Sequence, residues 1–180
     1  MTKNLFLKTA LCAAFLAVPF GPAVAGNWDV DLSLTQEGSY QSNPLMRQDN
    51  VKEIYGSITT PKLILKSQTP TTGLFFDTTV KQNLFNDSDF NSTDFHNDSR
   101  LSKKIERWEA ALGAGFDYDT TRTSEITNFG NNIRNDRHWG FNIAPEFTFS
   151  PSTEDSLTLS GQYLTSRYEN NNSHTDYDVY

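Results

Sequence analysis

From Trp28 onward the chain alternates. Trp28, Val30, Leu32 and Leu34 are apolar, and Asp29, Asp31 and Ser33 between them are polar. A period of two marks a strand with one apolar and one wet face. The same rhythm predicts eight strands, at 27–39, 53–67, 73–85, 97–104, 107–119, 138–149, 155–168 and 175–180. The fifth is among the clearest: Trp108, Ala110, Leu112, Ala114, Phe116 and Tyr118 oppose Glu109, Ala111, Gly113, Gly115, Asp117 and Asp119. In the third, Phe76, Thr78, Val80 and Leu84 alternate with Asp77, Thr79, Lys81 and Asn83. The fourth is the weakest.

The connections alternate too. Long polar loops follow the odd strands, at 41–52, 86–96, 120–137 and 169–174, and short turns follow the even ones. An outer-membrane barrel with a periplasmic N-terminus segregates its loops in this way. The expected fold is therefore all-β, an antiparallel up-and-down transmembrane β-barrel over residues 26–180. The rival is a soluble β-sandwich, which has no reason to sort loop length by parity. Aromatic placement fits the barrel. Trp28, Trp108, Phe147 and Phe149 fall near one rim, and Tyr40, Phe85, Tyr118 and Trp139 near the other, as two headgroup-level belts would.

Pro61 and Pro145 interrupt this reading. Each sits inside a downward strand, and proline cannot donate to a ladder. Their matched distance from the next turn predicts a bulge or slack pairing at one height. The last strand, 175–180, is shorter than the nine to eleven residues of a crossing strand. Tyr177 and Val179 read as the apolar face of a strand that has just begun, so the barrel is expected to be incomplete here and to continue past Tyr180.

Residues 1–25 read as a cleaved signal peptide: Lys3 and Lys8, an apolar run from Thr9 to Phe20, then Ala23-Val24-Ala25. The run is too short for a membrane helix. Cys12 lies mid-run behind bulky Leu11, which speaks against a lipidated cysteine. The remaining chain has no cysteine, which excludes disulfides and thiolate-bound metals. Removing the two leader lysines takes the formal charge from −7 to −9. That argues against a nucleic-acid surface, which needs a basic stripe.

Chemistry is sparse. His96, His138 and His174 are the three histidines, and each reads as a solvated residue in or beside a loop. His96 with Ser99 lies on the weakest strand, and no carboxylate spacing supplies a third member of a hydrolytic set. The expectation is no enzyme, no cofactor and no catalytic residue. Asp87, Asp89 and Asn91 resemble the start of a calcium loop, yet Ser92 stands where the turn glycine belongs and Asp98 where the bidentate Glu belongs. They are a weak metal candidate beside the plainer reading of an acidic loop, one that could also bridge anionic lipopolysaccharide through a divalent cation. The sequons at Asn86, Asn91, Asn97 and Asn171 read as turn chemistry. Asp29, Asp31, Asp77, Lys81, Arg100, Lys104, Glu109, Asp117, Asp119, Asn142 and Glu146 fall on the polar face and are the candidate pore lining. Trp28, Trp108, Trp139, Tyr118, Phe147 and Phe149 are the candidate aromatic girdle.

Ser39-Tyr40-Gln41-Ser42-Asn43-Pro44, closing the first strand behind the leader, resembles the opening of a β-barrel porin family of Gram-negative outer membranes. The Pro-x-(Leu/Phe)-x-(Leu/Phe) runs at Pro61 and Pro145 resemble it as well. The motifs are short, and the likeness spans the mature chain as a pattern. Members are typically about twice this length, and many are associated with exopolysaccharide loci. The resemblance implies a passive outer-membrane channel or conduit accessory to polysaccharide export. Its partners would be outer-membrane lipid, lipopolysaccharide, the barrel-assembly machinery and polysaccharide. It carries no catalytic residues over. The alternative is a non-channel barrel that works in adhesion or recognition through its Asn/Asp-rich loops.

Overall fold

The computed structural model describes residues 27–44, 51–121, 126–127, 130–131, 136–169 and 176–180. The expected leader with Cys12, the tips of three loops, and His174 lie outside the described residues.

The chain is all-β. Its strands are β1 (Asn27–Gln41), β2 (Ile54–Gln68), β3 (Thr72–Phe85), β4 (Ser92–Ile105), β5 (Trp108–Thr120), β6 (Ile126–Thr127), β7 (Gly130–Asn131), β8 (Arg137–Phe149), β9 (Leu157–Ser160), β10 (Tyr163–Tyr168) and β11 (Tyr177–Val179). Nine of them make one antiparallel sheet in the order β1-β2-β3-β4-β5-β8-β10-β11, with β9 also on β8, while β6 and β7 pair separately. Every neighbour in the large sheet is the next in sequence once the small β6–β7 ribbon is set aside and β9 and β10 are taken as two pieces of one strand, so the topology is up-and-down. The sheet is open: among the described residues β1 and β11 form its two edges.

Pairing keeps parity across the sheet. Leu32 lies opposite Leu63, Leu65 opposite Phe76, Leu74 opposite Leu101, Leu101 opposite Leu112, and Ala114 opposite Ile143. Directly opposed residues point to the same side, so one face is apolar from β1 to β9. That face is uncovered. Leu32 and Leu34 are 70% exposed and Leu159 is 74% exposed. Among the described strand residues, the buried hydrophobic side chains Ile54 and Ala111 both belong to the other face, and most other buried side chains are polar ones such as Thr78, Asp94 and Ser166.

The strand ends are staggered. The row through Ser166 and Tyr177, the last pair before the final loop, runs Gly140, Asp117, His96, Thr79, Lys62 and meets β1 at Ser33. That is eight residues below Gln41, where the first hairpin ends, over six strand spacings. Eight residue rises are about 26 Å and six spacings about 29 Å. The strands therefore lean at roughly 40° from the perpendicular to the line of their own loop ends.

Both prolines interrupt one ladder and leave the other whole. Pro61 pairs with Leu34 in an unbroken β1–β2 ladder, but the β2–β3 ladder skips from Thr59↔Gln82 to Lys62↔Thr79. Pro145 pairs with Leu112 in an unbroken β5–β8 ladder. On its other side Gly161 donates to the Pro145 carbonyl at 3.0 Å, and no N–H exists to return the bond. The predicted strand 155–168 accordingly splits there into β9 and β10. Register is the same before and after each gap, so these are slack pairings and not bulges. The row of Pro145 meets β2 at Ser67, six residues from Pro61 over four spacings. That slope matches the lean of the strands, so the two prolines stand level.

Four expectations are corrected. The fourth strand starts at Ser92, not Asn97, and the loop before it shrinks to residues 86–91. Asn83 Nδ2 donates to Ser92 Oγ at 2.7 Å, which carries the β3–β4 ladder further up than hydrophobic alternation alone indicates. Residues 150–156 make a longer turn than expected, so the contrast between odd and even connections narrows there. Phe85 falls on the polar face, packed edge-on against Phe90 at 6.4 Å, and not in the outer belt. Tyr177 and Val179 also fall on the polar face. Arg167 Nη2 holds both carboxylate oxygens of Asp178 at 2.8 Å and fixes β11 in the opposite parity.

Candidate functional site

The polar face is where side chains of interest converge. Cross-strand register puts Asp29 and Asp31 of β1, Asp77 and Lys81 of β3, Arg100 and Lys104 of β4, Glu109, Asp117 and Asp119 of β5, and Asn142 and Glu146 of β8 on this one side. The candidate lining is thus coplanar. Lys62 Nζ reaches Asp77 at 3.0 Å, and Arg100 Nη2 reaches Glu146 at 3.4 Å. The second pair spans an intervening strand. It does so because β5 presents Ala111 and Gly113 there, with no side chain tall enough to separate β4 from β8. One step further up, Asn142 lies over Gly115, in the space a Cβ at that glycine would occupy.

Nearer the loops the face becomes rich in His and Asp. His96 Nδ1 lies 2.8 Å from Asp117 Oδ1. His138 Nδ1 lies 3.2 Å from Asp119 Oδ1, and its Nε2 lies 2.7 Å from Ser166 Oγ. Asp119 is 5% and Ser166 2% exposed. The three side chains come from β5, β8 and β10, neighbours in the sheet. Two sequence expectations fail here. His96 is not a loop residue but a strand residue, and it has a carboxylate partner, as does His138 at the start of its expected strand. Ser99 lies on the opposite face from His96 and donates to Asn97 Oδ1 instead. Ser166 carried no local signal at all, since its partner His138 is 28 positions away in sequence and meets it only through register.

The acidic loop is organised internally. Asp87 Oδ1 accepts from Asp89 N–H at 3.2 Å and Asp87 Oδ2 pairs with Lys52 at 2.6 Å. Asn91 Oδ1 accepts from Phe85 N–H at 2.6 Å. Asp87 and Asn91 thus brace a 3-10 turn at Ser88–Phe90, with Asp89 in it.

The girdle candidates share the apolar face. Trp108 stacks on Phe149 at 4.0 Å and lies 5.0 Å from Phe147, at the short-turn end. Tyr118 lies opposite Trp139 at the loop end, with the Arg137 guanidinium 5.1 Å above its ring. Trp28 opens β1 at the short-turn end. Polar pairs break this face in places: Asn97 Nδ2 donates to Thr78 Oγ1 at 2.7 Å, Thr59 Oγ1 donates to Gln36 Oε1 at 2.6 Å, and Arg167 pairs with Asp178 at 2.8 Å.

No family model matches this chain, and none of the curated proteins or solved structures compared with it gives a match.

Proposed function

We propose that this chain is part of an outer-membrane β-barrel of porin type, its apolar face against lipid and its polar face against a water-filled lumen. The observation that carries the reading is the inside-out distribution of side chains. A soluble sandwich buries its apolar face against a second sheet. Here no described residue covers that face, and Leu32, Leu34, Leu157 and Leu159 on it are among the most exposed large hydrophobic side chains described. Lipid is the environment in which such a surface is stable.

Two further observations support it. A lean of roughly 40° is the tilt that closes strands into a barrel. Ten residue rises separate Trp108 from Tyr118 on β5, which at that tilt is about 25 Å, the height of an outer-membrane apolar band. The polar face then supplies the lumen. It carries more carboxylates than cations, so the conduit favours cations and neutral solutes. The resemblance noted above makes a hydrophilic polysaccharide the natural cargo.

Purified, refolded protein in planar bilayers tests this. The expected result is a heat-modifiable band and a steady conductance with a cation-to-anion permeability ratio above one. Conductance absent from a heat-modifiable, folded preparation would overturn the conduit and leave a surface barrel that acts through its loops.

A further inference from the structure

We infer that Ser166, His138 and Asp119 form a nucleophile, base and orienting carboxylate, and that the polar face carries an ester-hydrolysing site near its loop end. The inference stands on the local geometry and does not require the chain to lie in a membrane.

The two hydrogen bonds suit one tautomer of a neutral ring. Asp119, ionised, only accepts, so His138 Nδ1 must donate to it. That leaves Nε2 of the neutral ring to accept from the Ser166 hydroxyl, across 2.7 Å. This is the tautomer a general base needs, held by the carboxylate behind it. Three adjacent strands hold the three groups, so their spacing follows from ladder geometry and not from a mobile loop.

Ser166 is 2% exposed, and beside it one position, Gly140, carries no side chain. Ser166 lies opposite Gly140, which separates it from Asp117 along the row. A methyl group built on Gly140 would make ordinary van der Waals contact with His138 Cε1 and the Thr165 carbonyl, both at 3.7 Å, so the space there is one methyl group in size. By contrast, the space above Gly115, two residues away on the same face, is taken by Asn142. The gap at Gly140 suits a small acyl group. Asp117 and Asp119 disfavour an anionic substrate, and the polar surroundings disfavour a long acyl chain. The substrate class is therefore a short-chain carboxylic ester, of acetyl size, on an uncharged hydroxyl compound.

The reaction balances with ester and water alone. Ser166 Oγ attacks the acyl carbon as its proton passes to His138 Nε2. The ester C–O bond breaks, and the alcohol leaves with that proton. Water, deprotonated by His138, then attacks the acyl-serine, releases the carboxylic acid and restores the hydroxyl.

The test is labelling of the full, folded chain with a small fluorophosphonate, located by peptide mass spectrometry, beside hydrolysis of p-nitrophenyl acetate. Label on Ser166 is expected, together with acetate release that Ser166→Ala abolishes and Asp119→Asn slows by about 10³–10⁴-fold. Ser166→Cys guards against a folding defect in the alanine variant. It should lose fluorophosphonate labelling and gain alkylation by iodoacetamide at that position. A folded wild-type chain whose Ser166 takes no label, or whose hydrolysis equals that of Ser166→Ala, would show that the three groups only tie the strands together.

Discussion

Glu106 is the one non-glycine residue among those described with a positive φ, at 51°. It occupies the first position of the two-residue turn between Ile105 and Trp108, where a tight hairpin of right-handed twist asks for that conformation. A side chain there costs roughly 1 kcal/mol relative to glycine. Glu106→Gly should therefore raise the urea midpoint of the folded chain by a corresponding amount, and an unchanged midpoint would place the strain elsewhere. Gly56 shows the opposite constraint. It pairs with Phe85, and a Cβ on it would collide with the Leu84 carbonyl. Gly56→Val should push the ends of β2 and β3 apart and lower stability by about 1–3 kcal/mol, measured by the same unfolding curve.

At the scale of elements, the prolines are the informative feature. Pro145 deprives Gly161 of a donor and divides one strand into β9 and β10. Pro145→Ala restores an N–H to that side without touching the β5 ladder. Amide exchange of residues 160–164 should slow, with a net gain of about 0.5–1.5 kcal/mol for the bond. If exchange there is unchanged, backbone geometry and not the missing donor separates the two strands. Element boundaries were legible where alternation was hydrophobic, as in β1 and β5. They were missed in β4, whose upper half is held by Asn83, Ser92 and Asp94. Polar side chains bonded to each other across a ladder leave no hydrophobic period to read.

At the scale of the molecule, the two faces give the sharpest contrast. Leu112 sits midway up the apolar face and Asn142 on the polar one. Leu112→Arg should cost about 2–4 kcal/mol in a bilayer, seen as a smaller heat-modifiable fraction, whereas Asn142→Arg should leave that fraction unchanged. Equal losses would argue that both faces are packed against protein. The alternation in the sequence determined that the chain is antiparallel β with one wet and one apolar side, because a period of two assigns each side chain to a face before any strand has a neighbour. It likewise placed the candidate lining and the girdle on opposite sides. It did not determine which polar residues meet. His138 joins Asp119 and Ser166, Arg100 crosses β5 to Glu146, and Arg167 flips the parity of β11 by holding Asp178. Those contacts depend on register, which is set jointly by all the pairings of a strand and is invisible to local periodicity. Only the tertiary structure decided them.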